Sequence, residues 1–265
     1  MKEKTIHFIV GLPRSGSTLL CNLLNQNPKF WATPTDGVLE ILLAVRNQFE
    51  NVVMFKAAPN PKGKEEIMKS ILPAYAQSFE REIIFLKNRG WPAYIEMAEF
   101  CLGRKVKMIC TVRSIIDCIA SFEKLYRKYA HIWQFPQEKS NVYKWQTVED
   151  RANLWMNAEQ PIGIAYNRIR DVLSRGYGDR ILFVDFDDLT QTPVTAMKTI
   201  YEFLEEDYFD HDYNNIKQST FEDDLEHGIP GLHDILPRIT PKFSDAREIL
   251  GEDIIKKYGN AQFWK

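Results

Sequence analysis

The sequence predicts an α/β fold in three layers, with a central parallel sheet flanked by helices. Three observations carry that expectation. Short runs of β-branched and aromatic residues alternate with helical patterns through most of the chain, as in folds whose parallel strands are joined by crossover helices. The first run, TIHFIV (5–10), is fully apolar after His7, as in a strand buried on both faces. That run passes directly into a glycine-bearing turn and then into a helical stripe of leucines.

In chain order, STLLCNLLNQN (17–27) sets leucines at 19, 20, 23 and 24 along one helical face, and Pro28 ends it. EEIMKSILPAYAQSF (65–79) has a helical pattern in which Pro73 predicts a kink or break. REIIFLK (81–87) reads as a second strand and KVKMICTV (105–112) as a third. SIIDCIASFEKLYRKY (114–129) is an amphipathic helix with Ser114 placed to cap it. VEDRANLWMNAEQPIGIAYNRIRDVLSRG (148–176) is helical, in two pieces if Pro161 divides it. RILFVDF (180–186) is a further strand, and PVTAMKTIYEFLEE (193–206) a helix that opens on proline. After about residue 207 the pattern dissolves into Asp-, Asn-, His- and Pro-rich sequence, which predicts a long surface excursion packed on the domain. With no repeat and no flexible linker, residues 1–265 are expected to form a single domain.

The bulk composition narrows the function. The chain has 265 residues, 45% of them apolar, and a net charge of −2. It can bury a substantial core, and no global basic field points to nucleic acid. Any anion binding must be local. No run approaches the roughly 20 apolar residues needed to span a bilayer. IHFIVGL is short and lacks a small-residue cleavage pattern, so it reads as a strand rather than a signal peptide. Cys21, Cys101, Cys110 and Cys118 form no CxxC pair and are expected as reduced, buried thiols, which fits a cytoplasmic protein. His227 and His233 match no common zinc spacing and are expected as ordinary loop histidines, with no metal bound.

The turn at 11–18 reads GLPRSGST. It nearly reproduces the phosphate-cradling pattern GxxxxGK[ST], but Ser17 stands where the lysine belongs. A strand, a glycine-bearing turn and a helix start make an anion site because the first helical amides lack partners and carry partial positive charge. Gly11 and Gly16 let the backbone curl closely, and Ser15, Ser17 and Thr18 add hydroxyls. The missing lysine would ordinarily reach a β/γ-phosphate. A donor without that chain needs no such lysine, but it still needs a fixed cation, and Arg14 supplies one. A second stretch, CTVRSIIDCIASF (110–122), puts Arg113 at the end of a strand and Ser121 two turns into the next helix. Arginine at a strand's carboxyl end lies where open parallel sheets bind ligands, and it can pair with a phosphate. An ion pair with Asp117 is the plain alternative for Arg113.

Together these two stretches resemble the nucleotide signatures of the sulfotransferases, which use 3′-phosphoadenosine 5′-phosphosulfate (PAPS). The arginine form of the first loop is similar to that of the tyrosylprotein sulfotransferases and many bacterial relatives. The resemblance continues through FLKNRGWPA (85–93), RILFVDFDDLTQTP (180–193) and HGIPGLHDILPRI (227–239). It implies a P-loop-like fold in which Arg14, Ser15, Gly16, Ser17 and Thr18 hold the 5′-phosphosulfate, and Arg113 and Ser121 hold the 3′-phosphate. It also implies a catalytic cation at Lys87, beside Arg14, where the bridging oxygen gains charge. Arg238 or Lys242 is expected to close over the bisphosphate. The implied reaction is in-line transfer of a sulfuryl group to a hydroxyl or amine, without a metal.

The general base departs from the pattern. Arg89 stands where cytosolic members carry a histidine, and arginine is no base at neutral pH. The glutamate of the tyrosylprotein type is absent from WATPTDGVLEILL, so Asp36 is the first candidate and Glu40 the second. Asp36 has a plain alternative as a helix cap. Phe186 replaces a tyrosine found in many bacterial relatives. Trp91 is either a wall for adenine or acceptor, or core. The acceptor stays open among small molecules, carbohydrates, lipids and peptides, with residues 125–145 as part of its wall or as packed aromatics, and the oligomeric state is unknown. A P-loop kinase or NTPase, suggested by ILFVDFDD, and an inactive nucleotide-binding module remain the alternatives.

Overall fold

In the computed structural model, residues 4–129, 145–241 and 243–264 are described. Five strands, β1 (Thr5–Gly11), β2 (Phe30–Thr35), β3 (Ile83–Lys87), β4 (Met108–Val112) and β5 (Ile181–Asp185), form a parallel sheet in the order β2-β3-β1-β4-β5. β1 lies at the centre because it is apolar on both faces: every residue after Thr5 is buried. Ile9 pairs with Lys87 on one side, and Gly11 with Thr111 on the other. This register brings the glycine turn, the end of β3 and the end of β4 to one carboxyl edge of the sheet.

The helices are α1 (Ser17–Leu24), α2 (Val38–Asn51), α3 (Val53–Ala57), α4 (Pro61–Gln77), α5 (Ile95–Leu102), α6 (Ile115–Tyr129), α7 (Val148–Trp155), α8 (Pro161–Ser174), α9 (Phe186–Gln191), α10 (Pro193–Leu204), α11 (Ala246–Leu250) and α12 (Glu252–Tyr258). They cover both faces of the sheet. Ile6, Phe8 and Val10 of β1 join a core with residues of α2, α4 to α8, α11 and α12. Ile9 joins a second core with Leu20, Leu23 and Leu24 of α1 and with residues of α9 and α10. Alternate residues of the central strand therefore serve opposite layers. The α/β fold is as the sequence predicts.

Two differences have physical reasons. β2 was not expected, since TPTDG carries turn chemistry. It forms at the sheet edge, where proline is tolerated, and its register slips between Ala32 and Thr35, around Pro34. Pro73 does not end α4, which runs unbroken from Pro61 to Gln77. Leu72 and Ala76, both fully buried, pack the helix into the core across the proline, which offsets the lost backbone bond. The helical run 148–176 does divide, and Pro161 starts its second piece.

Residues 205–241 and 243–245 contain no helix or strand. They are held against α1 by side chains. Asn22 Oδ1 accepts from the Ser219 amide at 2.5 Å and the Thr220 amide at 3.2 Å, and Asn25 Nδ2 donates to Ser219 Oγ at 3.0 Å. The four cysteines are free and buried. A buried ion pair also ties α6 to α7: Arg151 donates to the fully buried Glu123 at 2.7 and 2.8 Å.

Candidate active site

A cavity of about 290 Å³ opens at the carboxyl edge of the sheet, between the 11–18 turn, the ends of β3 and β4, α6 and the 227–240 stretch. The turn is shaped by glycine. A Cβ on Gly11 (φ 136°) would lie 2.1 Å from the Thr111 carbonyl oxygen, and one on Gly16 (φ 89°) 2.8 Å from the Phe186 ring. No other residue fits either place. Arg14 itself adopts φ 64°, a left-handed conformation that is uncommon for a long side chain and is found at functional turns. The first amide to bond back into α1 is that of Leu20, to Gly16 O at 2.9 Å. The amides of Ser17 and Thr18 precede it at the positive end of the helix.

The loop hydroxyls are not equivalent. Ser17 and Thr18 line the cavity. Ser15 is fully buried, its Oγ 2.6 Å from Leu12 O, 2.9 Å from Thr111 O and 2.7 Å from Thr111 Oγ1. Its hydroxyl braces the turn, so only its main chain can serve an anion.

Arg14, Arg113 and Ser121 come together. Arg14 Nε donates to Ser121 Oγ at 3.2 Å, and Nη1 to Leu232 O at 2.5 Å. Burial first, and then the charge of Arg113, press Arg14 below its ordinary value, though an arginine still stays charged at neutral pH. Arg113 lies over the Phe186 ring at 4.5 Å, a cation–π contact, and its Nε is buried without a hydrogen-bond partner. The position that lacks the expected tyrosine thus provides a ring face that seats Arg113 and packs on Gly16. A buried, unpaired guanidinium nitrogen beside a second guanidinium is an arrangement that an anion completes.

Lys87, at the end of β3, is buried, and its Nζ donates to Glu222 Oε1 at 2.8 Å. Glu222 has only 6% of its side chain exposed. The Thr35 amide (2.9 Å) and hydroxyl (3.1 Å) donate to the same oxygen. Burial alone would push this carboxyl up. The Lys87 charge and hydrogen bond outweigh burial and hold it at about 2. Glu222 Oε2 is buried with no hydrogen-bond partner; His227 Nε2 lies 3.3 Å away and His233 Nδ1 3.5 Å away. His233 is docked by Asp224 through both ring and backbone, with Nδ1 2.5 Å from Oδ1 and its amide donating to Oδ2 at 3.0 Å. Burial lowers His233 from its ordinary value against the opposing pull of Asp224.

The two carboxylates selected from the sequence lie elsewhere. Asp36 is buried, its Oδ1 accepting from the Val38 amide at 2.8 Å just ahead of α2, whose N-cap is Gly37. Burial raises its carboxyl. Glu40 is exposed, 3.3 Å from Asn88 Nδ2. Neither is among the residues lining the cavity. Arg238 lines it from an exposed position, and Lys242 lies outside the described residues. Trp91 is fully buried against Phe8 at 4.6 Å, so it is core. Of the 125–145 stretch, residues 130–144 lie outside the described residues. The residues that sequence reasoning missed are Glu222 and Asp224, along with the place of His233. Their stretch, FEDDLEHGIPGLHD (221–234), has no periodicity to read, and Glu222 meets Lys87 across 135 positions of chain.

A parallel sheet, a glycine turn and an arginine-lined cavity at the strands' carboxyl ends together define a P-loop-like α/β protein with an anion site at its carboxyl edge. Within that class, the chain belongs to the sulfotransferase domain family, whose model matches residues 4–228. No curated protein matches it by sequence. Among solved structures, the sulfotransferase domain from the Synechococcus PCC 7002 olefin synthase is similar over 98% of this chain and 95% of its own, at 20% identity and a TM-score of 0.56. A sulfotransferase from Alicyclobacillus acidocaldarius is similar over 98% and 93%, at 12% identity and a TM-score of 0.51. A retinol dehydratase in complex with androsterone and the inactive cofactor PAP is similar over 98% and 80%, at 15% identity and a TM-score of 0.50. At these identities the likenesses establish the fold. No described helix is long and apolar enough to cross a membrane.

Proposed function

We propose that this protein moves the sulfuryl group of PAPS to a hydroxyl or amine acceptor by in-line displacement, releasing adenosine 3′,5′-bisphosphate. The observation that carries the reading is the junction of Arg14, Arg113 and Ser121 on one cavity, with Arg113 Nε buried and unpaired. The retinol dehydratase neighbour, which holds PAP, supports the choice of donor. When bound, the donor supplies the activated sulfate.

This chain's residues would do the rest. Arg113 and Ser121 bind the 3′-phosphate, and their contact with Arg14 ties that subsite to the turn. The main chain of Ser15 and Gly16, with the amides and hydroxyls of Ser17 and Thr18, holds the 5′ end at the start of α1. Lys87 and Arg14 stabilise charge that grows on the departing oxygen, where a fixed cation acts most strongly. Arg238 or Lys242 would close over the bisphosphate. No metal takes part in this reading.

For the proton of the acceptor, the geometry favours His233 over Asp36 and Glu40. His233 lines the cavity and is fixed through Nδ1 by Asp224. A ring that donates from Nδ1 to a carboxylate leaves Nε2 free to accept. Asp36 bonds the Val38 amide and Glu40 faces Asn88, both off the cavity wall. The kinase reading loses its main support, because Asp185 caps α9 by accepting from the Asp187 amide at 3.0 Å.

Adenosine 3′,5′-bisphosphate without metal should raise the melting temperature, and ATP with Mg²⁺ should not. The reverse pattern would restore the kinase. Labelled PAPS offered with a broad acceptor panel then separates enzyme from inactive module: bisphosphate binding without transfer to any acceptor would favour the module.

A further inference from the structure

Glu222, His227 and His233 each place a ligating atom within 4.8 Å of the others. Glu222 Oε2 lies 3.3 Å from His227 Nε2 and 3.5 Å from His233 Nδ1. Bonds of 2.0–2.1 Å to a tetrahedral zinc ion set neighbouring ligand atoms about 3.3 to 3.4 Å apart. The separations therefore already match two edges of such a site. Oε2 is also buried without a hydrogen-bond partner, on a side chain only 6% exposed. A buried anionic oxygen left unpaired beside two imidazoles is an unmet demand for a cation. Lys87 does not meet it, because its ammonium bonds the other oxygen, Oε1. Asp224, on Nδ1 of His233, adds a second negative charge, set against the charges of Lys87 and Arg89.

We propose that Glu222 Oε2, His227 Nε2 and His233 Nδ1 form a binding site for a divalent transition ion of the zinc type, with a fourth position open to water. Two imidazoles and a carboxylate suit such ions better than Mg²⁺ or Ca²⁺, which prefer all-oxygen shells. The spacing of His227 and His233 along the chain gave no sign of this, because the third ligand folds back from position 222.

Occupancy has a chemical consequence that rests on the reading of His233 as proton acceptor. In that reading the free ring carries its proton on Nδ1, toward Asp224. When the ion takes Nδ1, the hydrogen bond to Asp224 is given up, the proton leaves Nδ1, and the neutral ring carries its one proton on Nε2, which can no longer accept one from the acceptor. The site would then make sulfuryl transfer reversibly sensitive to the ion.

The test uses the tag-free full chain, stripped with a chelator and titrated with Co²⁺ and Zn²⁺. A single Co²⁺ should bind with the visible absorption of a tetrahedral centre, and Zn²⁺ should raise the melting temperature. His227 is well exposed, so His227→Ala keeps the fold and should weaken binding by at least about tenfold. Glu222→Gln should do the same. Unchanged affinity in both variants, or no ion retained at micromolar concentrations, overturns the site. Transfer is measured separately, with and without Zn²⁺ and after re-addition of chelator. If the ion binds through these ligands while transfer is unaffected, the site stands and His233 loses its role as proton acceptor. If no ion binds, the site falls and the proposed transfer is untouched.

Discussion

Arg113 and Lys87 are both cations at strand ends, yet their surroundings differ, and so should the effects of removing them. Arg113 has a buried nitrogen with nothing to donate to, while Lys87 is fully engaged with Glu222. Arg113→Ala should weaken adenosine 3′,5′-bisphosphate by roughly 1.5–3 kcal/mol, the scale of a charge-assisted hydrogen bond, read by calorimetric titration. Lys87→Ala should lower turnover more than donor affinity; equal effects on both would reverse the assignment of roles. Gly16→Ala tests the turn itself. The new methyl meets the Phe186 ring in a left-handed backbone, and a thermal melt should show a loss of about 1–3 kcal/mol.

At the scale of elements, the buried Glu123–Arg151 pair joins α6 to α7. Glu123 is fully buried, and Arg151 also donates to the Trp145 carbonyl at 2.6 Å. Glu123→Ala leaves the guanidinium without its anion, and urea unfolding should show a cost of about 3–5 kcal/mol. Which elements were legible in the sequence follows from how each is stabilised. β1, β3 and β4 are apolar runs buried in the sheet, and β5, though at the other edge, is apolar up to Asp185, so composition reveals all four. β2 contains Pro34 and sits at the edge; its existence depends on β3 beside it, not on its own residues. α4 passes Pro73 for the same kind of reason, since tertiary packing outweighs a local preference.

At the scale of the whole molecule, acid is the relevant stress. His7 and His211 are both buried, and burial, the largest effect on each, lowers them to about 3 and about 4. The unfolded chain protonates both near 6.5. Below that value the unfolded state holds more protons, so this contribution to stability is complete above pH 6.5 and is lost as pH falls toward 4. Each histidine adds up to about 1.4 kcal/mol per pH unit in that window, and denaturant melts between pH 7 and 4 should show the decline. His7→Phe should remove the His7 share of the decline and leave that of His211.

The same long-range logic divides the legible half of the site from the hidden half. Gly11, Arg14, Gly16, Ser17 and Thr18 are neighbours in the chain, and Arg113 and Ser121 share one strand–helix junction, so the donor side could be read locally. Glu222, Asp224 and His233 sit in an aperiodic stretch held by Asn22 and Asn25, and no local signal reports such contacts. A helix-cap role for Asp36 was weighed from the sequence; in the fold it bonds the Val38 amide beside the N-cap Gly37, and only the position of the cavity sets it apart from a base.

That division also has a meaning for synthesis. A nascent chain folds from its beginning, and once residue 185 has emerged all five strands exist. The sheet would then be complete while Lys87 still lacked its counter-charge and the outer wall around positions 232–240 had not yet been made. A ribosome stalled between those points would hold a finished scaffold with an unfinished cleft, so competence should arrive late and all at once.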